Sequence, residues 1–454
     1  MTHLERLDPV AFAARTAPLR RFAEPRLDGD AQARLHHAMG REIGAEEAVR
    51  EIVADVRVRG DAAVREWTRR LDDVDVPHTS VPTGTLAAAW EAMPVARREA
   101  WTTAAERIRA FHERQREALR PLGDPDLMLR PQPLRRVACY APGGRAAYPS
   151  TVLMTAIPAR VAGVDEVVLA SPPGSDGLPH SEVLAAAWLA GVDEVHAMGG
   201  AQAVAALAHG TQTVRAVDVL VGPGNIFVTL AKRCVYGSVG LDFLAGPSEI
   251  MVVATHGAEA ALVAADLVSQ LEHDPLAWAV LVTDDVDVAA AVEVQFERAA
   301  AAAERSGIVA RSAERHGFSV LCPDLETALR VCDDFAPEHL ELTGPAAESL
   351  ADRVRTAGAV FVGADSPVPM GDYIAGPNHT LPTGGAARFS GPLSVFHFVR
   401  WSSLTRLRRD EMAELGPVAQ VLSEAEGLHA HTASIELRLQ RLRDGAGSGG
   451  PARR

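Results

Sequence analysis

Ala162-Gly163-Val164-Asp165-Glu166-Val167 is repeated 28 residues further on as Ala190-Gly191-Val192-Asp193-Glu194-Val195. Each copy closes a helical run at a glycine and then opens a short apolar strand, Val167-Val168-Leu169-Ala170 and Val195-His196-Ala197-Met198. That spacing accommodates one strand and one crossover helix, the repeating unit of a parallel sheet. Upstream, Val137-Ala138-Cys139-Tyr140 is a third apolar strand, running into Ala141-Pro142-Gly143-Gly144. Downstream, Val217-Asp218-Val219-Leu220-Val221 ends in Gly222-Pro223-Gly224-Asn225. Strands that end in glycine-rich or small-residue loops predict half of a Rossmann-like lobe, with ligands at the strand C-termini.

A second set of strands follows at Ile250–Ala254, Ala279–Thr283, Ser319–Cys322 and Ala359–Val362, with an alanine-rich helix over 289–304. The predicted fold class is therefore α/β, with two incomplete Rossmann-like parallel-sheet lobes and small helical N- and C-terminal extensions. Residues 1–33, interrupted by Pro9, Pro18 and Pro25, read as an arm. Residues 44–72 and 84–120 carry amphipathic helix patterns. The expected division is 34–139 with 250–392 as a first, discontinuous lobe and 140–249 as a second. Residues 393–454 form a helical extension whose glycine-rich end, from Gly445 to Gly450, is expected to be disordered.

Bulk properties narrow the function. A chain of 454 residues, 47% apolar and 23% charged, has the composition of a globular protein long enough for more than one core. A net charge of −14 with no Lys/Arg tract argues against a nucleic-acid partner. No uncharged apolar run reaches the roughly 18 residues that a membrane span needs. The first residues lack a secretory pattern, and Cys139, Cys234, Cys322 and Cys332 lack zinc-like spacing. A reducing, cytoplasmic setting follows as the expectation. Lys232 is the only lysine among 45 basic residues. It is either a leftover of arginine-biased codons or a site that needs a compact ammonium, near a cofactor phosphate or a packed carbonyl.

Four clusters carry chemistry. In Ala264–Pro275, Gln270 and His273 stand three apart on a helical pattern, so an amide oxygen and an imidazole nitrogen project from one face as half of a metal site. Taken alone, the same pair is also what an ordinary helix end looks like. Phe335-Ala336-Pro337-Glu338-His339-Leu340 places Pro337 where a helix could begin, with two proton acceptors behind it. Gly371–Gly385, rich in glycine and proline, reads as an ordered loop carrying Asp372 and His379. Glu424–His431 adds Glu426, His429 and His431, of which His429 reads as a plain surface residue.

Together with Tyr-Ala-Pro-Gly-Gly at 140–144, Gly-Gly-Ala-Gln-Ala at 199–203, Gly-Pro-Gly-Asn at 222–225 and Ala-Gly-Pro-Ser-Glu at 245–249, these clusters resemble the histidinol dehydrogenase family over nearly the whole chain. The resemblance implies one zinc per subunit on Gln270, His273, Asp372 and His431, binding the substrate's amine and imidazole. It implies substrate contacts at Ser248, His339, His379 and Glu426, and NAD contacts at Tyr140, Gln202 and Asn225. No Gly-x-Gly-x-x-Gly is present, so spacing alone does not reveal a dinucleotide site. It further implies an intertwined homodimer in which Glu426 and His431 enter the partner's site. Cys139 and Leu271 depart from the family pattern without touching an assigned role.

The implied reaction is the oxidation of L-histidinol through L-histidinaldehyde to L-histidine with two NAD+ and water, the last step of histidine biosynthesis. His339 is the expected general base and Glu338 the expected activator of water in the second half. Two rivals are a related zinc and NAD dehydrogenase of another polar alcohol, and a zinc hydrolase or zinc- or solute-binding protein. The second lacks a His-Glu-x-x-His motif. Thiohemiacetal chemistry at Cys139 is a third idea, weakened by its place in an apolar strand.

Overall fold

In strands Arg136–Tyr140, Glu249–Ala254 and Trp278–Thr283 every residue is buried, the pattern of sheets covered on both faces. They are the inner strands of two sheets in the computed structural model, which describes residues 2–20, 27, 29–143 and 147–445. The first sheet runs in spatial order Ser80–Val81, Glu194–Ala197, Glu166–Ser171, Arg136–Tyr140, Val219–Val221, Gly240–Leu241. All neighbours are parallel except Ser80–Val81, which lies antiparallel at one edge. The second runs Glu5–Leu7, Gly317–Leu321, Trp278–Thr283, Glu249–Ala254, His339–Thr343, Ala359–Val362, parallel throughout. In both, the chain winds outward from its first long strand, returns to that strand's other side and winds the opposite way. The α/β class and the parallel sheets match expectation.

The lobe boundaries differ. Residue 139/140, the expected border, falls inside the strand Arg136–Tyr140. Helices Ala45–Arg59 and Asp61–Asp72 bury Val49, Ile52, Val56 and Trp67 in one core with Tyr140, Val204 and Leu220. They cover the 136–241 sheet, not the 249–362 sheet. An amphipathic pattern shows that a helix has a buried face but not which sheet it meets. The break between these helices is Gly60, at φ +59°, where a Cβ would stand 2.1 Å from Gln212 Oε1.

Residues 5–20 of the expected N-terminal arm belong with the 249–362 sheet. Glu5–Leu7 pairs with Phe318–Val320, and a helix follows over Pro9–Arg20. Pro9 sits at the helix's first position, where its missing N–H costs nothing, so it starts the helix it was expected to interrupt. Phe12 packs edge-on against Phe318 and beside Phe335.

Met1–Ala118 with Pro133–Val399 makes one compact unit holding both sheets. Leu119–Gln132 with Arg400–Arg454 makes the other. In the latter, Val399–Thr405, Leu127–Pro133 and Leu122–Gly123 lie side by side as a three-stranded sheet. Helices Arg409–Ala425 and His429–Gly445 pack together through Ser423 Oγ and Thr432 Oγ1 at 2.6 Å and Gln420 Nε2 donating to Glu436 Oε2. The helical C-terminal extension thus begins with a strand, and residues 446–454, with most of the glycine-rich end, lie outside the described residues. Among the described residues no helix is long and apolar enough to cross a membrane.

Candidate active site

Residues 242–248 leave the last strand of one sheet and enter Glu249–Ala254, the first strand of the other. The loop after helix Val368–Tyr373 is sewn to this connection: Gly246 N donates to Thr383 Oγ1 and Gly384 N to Glu249 Oε1. Asn378 fixes the same loop on the other side, its Nδ2 donating to Met154 O at 2.6 Å and its Oδ1 accepting from Thr380 N. The glycine- and proline-rich segment is therefore ordered as read, although Asp372 stands on a short helix instead of a loop.

His339 opens a strand, not a helix. Ala336, at φ +52°, ends helix Leu325–Phe335 in a left-handed turn, and Pro337-Glu338 leads into His339–Thr343 between Glu249–Ala254 and Ala359–Val362. Pro337 carried the helix-start signal, but the two neighbouring strands claim the backbone after it. His339 Nδ1 lies 2.9 Å from Glu249 O. A carbonyl only accepts, so Nδ1 carries the hydrogen and Nε2 keeps its lone pair. Nε2 is buried without a hydrogen-bond partner and stands 3.9 Å from Asp372 Oδ1. Burial, with the neighbouring His273 and His379 imidazoles, pushes His339 down to about 4, so it is a neutral base at pH 7.

Glu338 lies behind that imidazole. Its Oε2 is 3.6 Å from His339 Nδ1 and accepts from Glu249 N at 2.8 Å. Burial, then the Glu249 and Asp372 carboxylates, raises it well above the usual carboxylate range against the opposing backbone hydrogen bond. His379 is oriented as His339 is, with Nδ1 donating to Asp372 O at 2.8 Å. Helix Ala260–Leu271 stops four residues before Pro275, and His273 N donates to Gln270 O, keeping both residues on one turn. Gln270 is buried; His273 is crowded by protein yet reached by solvent, and desolvation holds its pKa low. Ser248 lies just before strand Glu249–Ala254, its carbonyl accepting from Trp278 N.

Asp372 tests whether this set suits a metal. It is mostly buried, burial lifts its carboxyl to about 7, and His339 is its only recorded ion-pair neighbour among the described residues. A desolvated carboxylate with the His339 and His379 imidazoles at its side chain and carbonyl is, by the chemistry of its donors, a partner that fits a zinc ion. Among the described residues no three His, Cys, Asp or Glu side chains converge as a metal cluster. Gln270 of the expected set is an amide, and His431 belongs to the other unit. His431 and Glu426 are exposed there, at the junction of its two helices.

The three residues expected at NAD gather around the C-terminal ends of the 136–241 strands. Tyr140 is buried, and its hydroxyl accepts from Gly200 N at 3.0 Å, at the start of helix Gly200–His209. Gln202 is fully buried; its Nε2 donates to Asp72 Oδ2 and its Oε1 has no partner, an orphaned acceptor that a ligand can satisfy. Asn225 is exposed and caps helix Ile226–Val235, with Oδ1 accepting from Phe227 N and Val228 N. Only Asn225 of the three presents its side chain to solvent.

Residues 37–439 match the histidinol dehydrogenase family model. The chain belongs to the histidinol dehydrogenase family. A histidinol dehydrogenase of Parasynechococcus marenigrum is 50% identical over 391 residues, 86% of this chain and 90% of that one. One from Natronomonas pharaonis is 47% identical over 397 residues, 87% and 93% of the two chains. The crystal structure of histidinol dehydrogenase from Elizabethkingia anophelis superposes with a TM-score of 0.86 at 29% identity, covering 98% of this chain and 99% of that one. The family's members are oxidoreductases, and this chain is one of them.

Two groups escaped the sequence reading. Glu249, at the end of Ala-Gly-Pro-Ser-Glu, binds the Gly384 and Glu338 backbones through its side chain and orients His339 through its carbonyl. Its place in a motif was a signal. Asp242 gave none, and Lys232 donates to it from a wholly buried position.

Proposed function

We propose that the protein oxidises L-histidinol to L-histidinaldehyde and then, with water, to L-histidine, using two NAD+ and one zinc ion per subunit. The observation that carries this reading is the buried, unpartnered Nε2 of His339, a neutral base 3.9 Å from Asp372 Oδ1, with Asp372 in turn orienting His379 through its carbonyl. Zinc on Gln270, His273, Asp372 and the partner copy's equivalent of His431 would anchor the substrate's nitrogens, and NAD+ would accept a hydride in each half. His339 Nε2 takes the hydroxyl proton of the alcohol and then of the aldehyde hydrate. Glu338 accepts the proton of the water that adds to the aldehyde. Ser248, His379 and the partner copy's equivalent of Glu426 would hold the substrate. The orphaned Gln202 Oε1, Tyr140 at the C-terminal end of the central strand and Asn225 after the next strand on its other side support a cofactor site where the winding of the 136–241 sheet reverses, the usual place for a dinucleotide.

A homodimer with shared sites is part of this reading. Leu415, Val418, Val421 and Leu422 leave an exposed apolar strip on helix Arg409–Ala425, which suits a second copy. Four unpaired cysteines suit a cytoplasmic setting. Burial lifts the Cys139 thiol to about 12, so it stays protonated and inert at neutral pH, against thiohemiacetal chemistry there.

The test is NADH formation from L-histidinol, expected at two per substrate and abolished by a chelator without loss of fold. His339→Asn should slow both halves by roughly 10²–10⁴-fold. A folded, metal-loaded protein that forms no NADH with histidinol would overturn the assignment.

A further inference from the structure

The sole lysine of the chain is fully buried, on helix Ile226–Val235. Its Nζ donates to Gly222 O at 2.6 Å and to Asp242 Oδ1 at 2.8 Å. The other carboxylate oxygen, Asp242 Oδ2, accepts from Gly222 N at 2.7 Å. Gly222 is thus gripped at both its N–H and its carbonyl by one buried ion pair. Its backbone is one only glycine tolerates: φ is +111°, and a Cβ would stand 2.3 Å from Tyr140 O. Immediately beyond it, Pro223 and Gly224 lead to the exposed Asn225.

Burying two charges is costly and is worthwhile only where the geometry they impose is needed. An arginine would bring a planar fork too large for a space already filled by a carbonyl and a carboxylate. That accounts for one lysine in a chain that otherwise uses arginine. We propose that Lys232 and Asp242 are positioning residues that fix the Gly222–Asn225 turn in the shape that receives the dinucleotide. The proposal rests on the reading of this turn as the cofactor site. Neither residue touches the reacting atoms. Their effect is on cofactor affinity, exerted through the backbone of Gly222.

The experiment compares Lys232→Arg, the double variant Lys232→Met/Asp242→Asn and Asn225→Ala in NAD+ binding by titration calorimetry, where Kd should rise as KM does, and in steady-state kinetics of the zinc-loaded enzyme. The double variant removes both charges together and leaves no lone one in the core. Expected is a rise in the KM for NAD+ of about tenfold or more in Lys232→Arg and the double variant, with kcat at saturation and the KM for histidinol within about twofold, the signature of lost binding without lost chemistry. Asn225→Ala should raise the same KM. Folded Lys232 variants with unchanged NAD+ kinetics, beside an Asn225→Ala that is impaired, would overturn the positioning role and leave the cofactor site standing. An unimpaired Asn225→Ala would overturn the cofactor reading itself and the inference with it. Equal losses toward both substrates, or failure of both Lys232 variants to fold, would make the pair purely structural.

Discussion

His339 owes its tautomer to one carbonyl, that of Glu249, and its free Nε2 is the consequence. Glu338 approaches the opposite ring nitrogen, so its part can be separated from that of His339 by experiment. Glu338→Gln keeps shape and hydrogen bonding but removes the proton acceptor. Pre-steady-state traces should show a burst of about one NADH per site and then a slow phase, because only the second half requires activated water. Equal slowing of both halves would instead assign Glu338 to orienting His339, a role its place at Nδ1 also fits. At this scale the sequence was a good guide to identity and a poor one to conformation. Glu338 and His339 were legible as a pair. The strand that begins with His339 was not, because it is set by Ile250 and Ala359, far away in the chain. Asp242 was illegible for a different reason: its partner Lys232 is only ten residues away, but no local pattern marks the turn after helix Ile226–Val235 that brings them together.

Three elements that carry the site meet at a pair of acids. Asp266 lies on helix Ala260–Leu271 with Gln270, and Glu341 on the strand that begins with His339. Glu341 Oε1 accepts from Val368 N at 3.0 Å, at the start of the helix that carries Asp372. Burial raises both carboxyls above their usual range, and the Asp266 charge raises Glu341 further. A carboxyl that holds its proton more tightly folded than unfolded stabilises the fold at low pH and loses that contribution as pH rises through its folded value. Stability should therefore decline from the ordinary carboxylate range upward. Glu341→Gln should flatten that decline, seen as a smaller Tm difference between about pH 5 and about pH 8 than in the parent protein. An unchanged difference would mean that the pair does not share a proton. The strands around this pair were legible as long apolar runs such as Ile250–Ala254. His339–Thr343 has the right alternation, with Leu340 and Leu342 buried, but the proline before it suggested a helix.

For the whole molecule the decisive question is whether sites are shared between copies. If His431 of one subunit serves the site of the other, His431→Ala and His339→Ala homodimers are both inactive, while their heterodimer has one intact site of two. Mixing the two variants should restore activity of about half the wild-type value per heterodimer. Heterodimers shown to form yet inactive would place His431 outside the partner's site. The two-sheet architecture was legible from the 28-residue echo and the apolar runs; the ownership of the helices was not, since both sheets offer them similar apolar faces. The 136–241 sheet and its covering helices are complete before the next sheet's long strands have been synthesised. Glu5–Leu7, by contrast, is made long before Phe318–Val320, with which it pairs. Its contacts span most of the chain, and contacts of such sequence separation form slowly. Closing that edge is thus a late step in folding, and the opening residues of the chain must stay unpaired through most of synthesis.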